Sequence, residues 1–292
     1  MMSSLRFMAL TVVLCAGAML SAQQTPTSQS PKEQAWSVLN NGLTNSNTEK
    51  RTRAVRELGL LIGNQEAKDA AVIALKDPKP DVRAAAAQAL GDMEARSAKP
   101  QLVAAFDDTD PSVILAAAHS LIVLGDDQGY GVFYAVLTGA QKTGTSLSEE
   151  QKKLLHDPKK LASVGFQAGL GFIPFAGMGL TAFKLFTKDD TSPVLAAAAL
   201  TLAKDPDPAS GQALANAAAQ QKKWLVRAAA YEAIAKRGDP ALKPAAVSGL
   251  QDEQDEVQYA AAAAVIRLSD IEAHPPAPPK QVRHSAPPKK PR

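Results

Sequence analysis

Few residues in this 292-residue sequence are of the types that catalyse reactions or bind metal. They are one cysteine, Cys15, and four histidines: His119, His156, His274 and His284. No histidine stands beside a glutamate or four residues from another histidine, the spacings by which one helix face holds a metal ion. Cys15 lies in an N-terminal apolar run that we expect to be removed, so the mature chain offers no thiol. We therefore expect a protein that is not an enzyme and has no cofactor or metal.

Residues 1–22 have the pattern of a signal peptide. Arg6 precedes an apolar core at residues 7–18, and small residues end at Ala22. We expect cleavage near Ala22, a polar linker at residues 23–32, and a periplasmic or secreted protein. A retained membrane anchor is the alternative, although the apolar core is short for a membrane span.

A valine recurs at a nearly constant interval. It stands at Val82, Val113, Val194, Val226 and Val257, with Lys50 in the equivalent upstream position. The steps are 31 or 32 residues, except for one of 81 that holds an insertion of about fifty residues. Each valine opens an alanine-rich run with apolar residues on one helical face, and Asp-Pro or Ser-Pro turns precede several helices. This period predicts stacked helical hairpins.

The run DPKPDVRAAAAQALG at residues 77–91, echoed by VRAAAYEAIA at residues 226–235, resembles HEAT repeats in their short, PBS-lyase-like form. The resemblance implies an all-α superhelix of HEAT/armadillo type. It implies about six repeats over residues 33–271, with an insertion at residues 139–188. The related deoxyhypusine hydroxylase binds iron through His-Glu motifs that this chain lacks, and the sequence does not support bilin-lyase activity either. Such repeats form scaffolds with many roles.

Repeat one departs from the pattern. Lys50, Arg53 and Glu57 occupy positions that are valine or alanine elsewhere. Terminal repeats have a polar outer face, so we interpret repeat one as the N-terminal cap. A shift of register by one residue would turn Ala54, Val55 and Leu58 inward.

Other positions of the inner helices are expected to line a concave, partner-binding surface. The candidates are Arg83, Arg227, Tyr231, Glu232 and Tyr259, since arginine and aromatic side chains are frequent interface anchors. In the two repeats beside the insertion the equivalent positions are apolar: Ile114, Leu115, Leu195 and Leu200.

The insertion contains a stretch without ionisable residues, residues 161–183, which includes Phe166, Phe172 and Phe175. We expect this stretch to dock on the four apolar positions, because exposed apolar patches require a cover. A membrane-dipping hairpin hinged at Pro174 and a lid over an apolar groove remain alternatives.

The positive charge lies in the C-terminal tail. The chain has a net charge of +3, yet the Pro/Lys-rich residues 272–292 contain five basic residues and leave residues 23–272 acidic overall. A basic stripe typical of nucleic-acid binding is therefore absent from the repeats. The tail is predicted to be extended and disordered, with weak contact to anionic envelope polymers or lipid as one role.

The sequence thus predicts an exported, non-catalytic scaffold for protein partners in the cell envelope. A membrane-associated envelope protein anchored through residues 161–183 is the alternative. An enzyme with an unrecognised site is the more distant one.

Overall fold

A computed structural model describes residues 29–138 and 191–275, together with the isolated positions 148 and 150. The signal peptide, most of the linker and insertion, and residues 276–292 lie outside the described residues. Within the described part the chain forms twelve α-helices and no strand, which confirms the all-α prediction. The helices are α1 Pro31–Leu43, α2 Thr48–Glu57, α3 Gln65–Ala74, α4 Pro80–Asp92, α5 Lys99–Ala104, α6 Pro111–Val123, α7 Gln128–Thr138, α8 Ser192–Leu202, α9 Pro208–Gln220, α10 Trp224–Arg237, α11 Lys243–Ser248 and α12 Asp255–Ala273.

Local sequence explains where the helices begin. The side chains of Asn47, Asp110 and Asp207 accept hydrogen bonds from the first free amides of α2, α6 and α9. A proline occupies the first turn of seven helices, where its missing amide costs nothing: α1, α4, α5, α6, α8, α9 and α11. Gly238 ends α10 with φ of 68°, a conformation that favours glycine.

The repeat valines are buried between stacked helices, with one exception. Val82, Val113, Val226 and Val257 are at most 2% exposed, whereas Val194 is 52% exposed. The prediction that all five are equivalent is therefore wrong for Val194. The reason is its place in the stack: in the described part, the helices that pack closely on α8 are α9 and α10, both on its C-terminal side.

The first and last repeats pack against each other. The inner helices α2, α4 and α6 form one run and α8, α10 and α12 another, and α12 joins the two runs by packing on α1 and α2. Repeat one therefore lies inside the stack, between repeats two and six, and its prediction as a terminal cap is wrong. Its polar residues face charged partners of other repeats: Lys50 pairs with Asp255, and Arg53 with Glu256. Ala54, Val55 and Leu58 are buried as predicted, but without a shift of register, because Ala54 and Leu58 follow Lys50 at the same distances as the buried Ala86 and Leu90 follow Val82.

We call this contact of α1 and α2 with α12 the seam. A side-chain carbon on Gly42 would lie 2.7 Å from the Tyr259 ring and 2.7 Å from the Ala54 Cβ, so glycine permits the close approach. Asp270 accepts hydrogen bonds from the Lys32 Nζ at 2.5 Å and from the Asn64 Nδ2 at 2.7 Å. Apolar packing and polar pairs therefore both hold the seam.

Candidate functional site

Four of the five predicted partner-binding residues are not on an open surface. Tyr231, Tyr259 and Arg227 are 2%, 4% and 8% exposed, and the Arg83 side chain is 15% exposed. Tyr231 packs against Gly249, where an added side-chain carbon would lie 2.4 Å from the ring. Placing these four residues on a concave surface is therefore a wrong prediction, and their roles within the fold are structural.

The arginines belong to a ladder that ties repeat one to two, repeat two to three and repeat five to six. Arg51, Arg83 and Arg227 each bind both oxygens of an aspartate about one repeat later: Asp77, Asp108 and Asp252. The six N–O distances lie between 2.7 and 3.1 Å. Each arginine also donates to the carbonyl oxygen six residues before it. Such bidentate pairs are strong and geometrically specific.

Two repeats carry an apolar residue in the arginine position. Ile114 and Leu195 occupy that position, and the residues 25 and 26 places further on are Gly139 and Ala140, or Gln220 and Gln221, so neither repeat has the matching aspartate. An arginine in place of the fully buried Ile114 would therefore be buried without that partner. Burial raises the pKa of Asp252, but hydrogen bonds from Arg227 and backbone amides outweigh it and lower that pKa below its ordinary value.

The four apolar positions beside the insertion do not share one environment. Ile114 and Leu115 are buried within the main hydrophobic core, Leu200 packs partly against that core, and Leu195 is 41% exposed. Docking of residues 161–183 on these positions therefore stays a prediction. The proposed docking partners, Phe166, Phe172 and Phe175, lie outside the described residues.

Glu232 does belong to a polar group on the inner helices. We call this group the concave cluster; it consists of Arg56, Glu57, Asp92, His119, Glu232 and Lys236. Glu57 and Asp92 are the last residues of α2 and α4, His119 lies on α6, and Glu232 and Lys236 lie on α10. Four repeats therefore supply charged side chains that are near enough to interact electrostatically. Arg56, Asp92 and Lys236 are exposed to solvent, whereas Glu57 and Glu232 are half-buried.

Two carboxylates dominate the electrostatics of the concave cluster. Burial, and then the charge of Glu232, raise the pKa of Glu57 well above its ordinary value of 4.5, against the opposing charges of Lys236 and Arg56. Burial also raises the pKa of Glu232. The Glu57 Oε2 atom is buried without a hydrogen-bond partner among the described residues. The buried oxygen therefore has no donor in the described part of the chain to offset its lost hydration, which agrees with the raised pKa of Glu57.

Burial also acts on the other side of the cluster. It raises the pKa of Asp92, and the charges of Lys236 and His119 offset part of that effect. It lowers the pKa of His119, with the charge of Asp92 acting in the opposite direction. In the described ranges, no three residues among histidine, cysteine, aspartate and glutamate are grouped so that they could hold a metal ion.

An aromatic side chain lies beside the cluster. The Arg53 guanidinium is 5.3 Å from the centre of the Trp224 ring, which is within the range of a cation–π contact. The same guanidinium donates to Glu49 at 2.7 Å and lies 3.5 Å from Glu256. Arg53 of repeat one is thus fixed between repeats five and six.

Sequence reasoning found Glu232 and missed most of its neighbours. Arg56, His119 and Glu232 all stand six residues after the repeat valine or its equivalent, and Asp92 and Lys236 stand ten residues after it. A comparison of these two positions across repeats would have indicated a polar column. The polar residues of repeats one and five face each other because the seam brings these repeats together. No local sequence pattern indicates the seam.

Replacing Glu57 by glutamine should stabilise the protein above neutral pH. The native state raises the pKa of Glu57, so it favours the neutral carboxyl. Wild-type stability should therefore fall as the pH rises from about 4.5 through the raised pKa. Glutamine stays neutral, and we expect a gain of about 1 kcal/mol at pH 8 that disappears near pH 4.

Thermal unfolding at both pH values measures this effect, with a shift in Tm of about 2–4 °C expected at pH 8. The matched control is Glu66→Gln on the exposed face of α3, which should leave Tm unchanged. Equal destabilisation by Glu57→Gln at both pH values would contradict the raised pKa.

The comparison with protein-family models finds one match, to the family described as HEAT repeats, over residues 37–122 and 181–267. No curated protein matches the chain. Among solved structures, the complex of CpcE and CpcF of phycocyanin lyase from Nostoc is similar at 21% identity, with 88% of this chain and 98% of that chain covered and a TM-score of 0.32.

Human deoxyhypusine hydroxylase is similar at 18% identity, with coverage of 82% and 97% and a TM-score of 0.31. A designed armadillo repeat protein is similar at 16% identity, with coverage of 82% and 100% and a TM-score of 0.24. These likenesses concern the fold. Among the described residues, no helix is long and apolar enough to cross a membrane.

Proposed function

Because the chain belongs to the family of HEAT-repeat proteins, we propose that it is a non-catalytic scaffold for protein–protein interaction, exported to the cell envelope. Solenoids of this kind bind partners along the inner surface that their stacked repeats create. The observation that carries the proposal is the concave cluster, in which titratable side chains of four repeats interact electrostatically and Lys236 lies near both Glu57 and Asp92.

The chemistry of the cluster favours a partner that presents hydrogen-bond donors. Glu57 and Glu232 both disfavour ionisation in the free protein, because burial acts on both and the charge of Glu232 also acts on Glu57. A lysine or arginine side chain of the partner placed beside the half-buried Glu57 and Glu232 would favour their ionised forms. Charge complementarity of this kind contributes specificity and association rate.

Capture of partners from an envelope extract tests the proposal. We expect immobilised wild-type protein to retain a partner whose affinity falls about tenfold or more, equivalent to about 1.4 kcal/mol, in Glu232→Gln. The control Glu66→Gln should bind like the wild type. A partner that both variants retain equally well would contradict a role for the concave cluster.

Export rests on residues 1–22, and N-terminal sequencing of protein recovered from the envelope checks it. We expect a mature chain that begins at or near Gln23, whereas an intact Met1 would contradict export.

Anchorage through residues 161–183 is the competing proposal, favoured by their 23 uncharged positions. Fractionation separates the two, since a soluble scaffold is released by osmotic shock and an inserted hairpin requires detergent. For the basic tail, residues 272–292, we propose weak contact with anionic envelope polymers or lipid.

A further inference from the structure

The chain consists of two half-arrays that are connected in two ways. The first comprises residues 29–138 and the second residues 191–275. Residues 139–190 join them covalently, and the seam joins them through side-chain contacts. In space, the order of the repeats therefore runs from α8 through α12 to α1 and on to α7, which is a circular permutation of the order in the sequence.

The seam has the features of a specific interface. Its centre is the contact of Gly42 with the Tyr259 ring, a fit that any larger side chain at position 42 would prevent. Around this centre, Asp270 binds Lys32 and Asn64, and the Arg267 guanidinium donates to the Ile62 carbonyl oxygen at 2.7 Å. Partners separated by more than 200 positions in the sequence thus match each other in shape and in charge.

The concave cluster depends on this interface. Arg56, Glu57, Asp92 and His119 come from the first half-array, whereas Glu232 and Lys236 come from the second. The contact of Arg53 with Trp224 also crosses from one half to the other. If the halves separated, Glu57 would lose its electrostatic interactions with Glu232 and Lys236.

We propose that the seam is a clasp: the two half-arrays bind each other without the covalent link through residues 139–190, and their closure assembles the partner-binding cluster. The second part rests on the proposed function of that cluster. A partner that contacts both halves then binds the closed form more tightly than the open form. Partner binding and closure of the seam are thermodynamically linked. If the partner shifts the closure equilibrium by a given factor, closure increases the affinity for the partner by the same factor.

Cleavage of the full chain tests the first part without any partner. A protease site introduced between residues 139 and 190 allows the folded protein to be cut, so that both halves stay present. We expect the cut protein to elute as one species in size-exclusion chromatography at micromolar concentration. Elution of the cut wild-type halves as two species would overturn the clasp.

Substitutions at the seam show which contacts hold the halves together. Gly42→Leu should raise the dissociation constant of the cut halves at least tenfold, because the leucine collides with Tyr259. Asn41→Leu, its exposed neighbour on α1, is the matched control and should have no effect. Gly42 also lies close to Ala54 within its own half, so Tyr259→Ala provides a second variant that acts from the other side. Equal association of all three variants would exclude this contact as the clasp.

Partner capture by the same variants then separates the two claims. If Gly42→Leu weakens both the association of the halves and partner capture, closure assembles the site. If it weakens association but leaves capture unchanged, the clasp stands and the partner binds elsewhere, so the assembly claim is overturned. Circular dichroism of each variant confirms that the helices are retained.

Discussion

Val226→Asp should unfold the repeats around α10. Val226 is 2% exposed between stacked helices, and a carboxylate introduced there has no partner to compensate for its lost hydration. We expect a loss of about 3–5 kcal/mol in the free energy of unfolding. Chemical denaturation followed by circular dichroism measures it.

The matched control for this substitution is the equivalent valine of the preceding repeat. Val194 occupies the equivalent position in the sequence and, like Val226, is the third residue of its helix, yet it is 52% exposed. Val194→Asp should therefore change stability by less than about 0.5 kcal/mol. A similar loss for both variants would show that Val194 is buried and that the sequence period was the better guide.

Arg227→Ala should be nearly as damaging, which reverses the expectation that this arginine is available to a partner. Its guanidinium binds both oxygens of Asp252 at 2.7 and 2.8 Å and the carbonyl oxygens of Gln221 and Lys222. Both side chains are almost fully buried, at 10% and 12% exposure. Removal of one partner leaves the other charge unpaired, at a cost of about 2–4 kcal/mol.

A double-mutant cycle with Asp252→Ala isolates this pair. We expect the double variant to be less destabilised than the sum of the single variants, with a coupling of about 2 kcal/mol. The control pair, Lys243 and Glu272, is more exposed and should couple by less than about 1 kcal/mol. Additive effects for Arg227 and Asp252 would argue against the ladder as a stabilising feature.

The sequence predicted the repeats well because their signals are local. The valine spacing, the alanine runs and the Asp-Pro turns each act within one hairpin, and they place the outer helix Gln65–Ala74 and the inner helix Ser192–Leu202 close to where the structure has them. The burial of Ala54 and Leu58 in repeat one also followed from local pattern, since they align with the buried Ala86 and Leu90 of repeat two.

The site could not be predicted in the same way. An arginine such as Arg83 has the same sequence environment whether it faces solvent or an aspartate 25 residues later, so its burial depends on how the next repeat stacks. Lys50 and Arg53 resembled the polar face of a terminal cap because their partners, Asp255 and Glu256, lie at the other end of the sequence. The packing of repeat one against repeat six leaves no local signal in the sequence. The concave cluster depends on that packing and could not be predicted for the same reason.

The distance between the first and last repeats tests the central claim most directly. Spin labels at Ser37→Cys on α1 and Ala273→Cys on α12, both exposed positions, allow that distance to be measured by double electron–electron resonance. Packed helix axes lie about 10 Å apart, so the closed array predicts a narrow distribution near roughly 20 Å once the label arms are included. An open solenoid of six repeats would place the labels roughly 40–50 Å apart, and a distribution centred there would contradict the closed array.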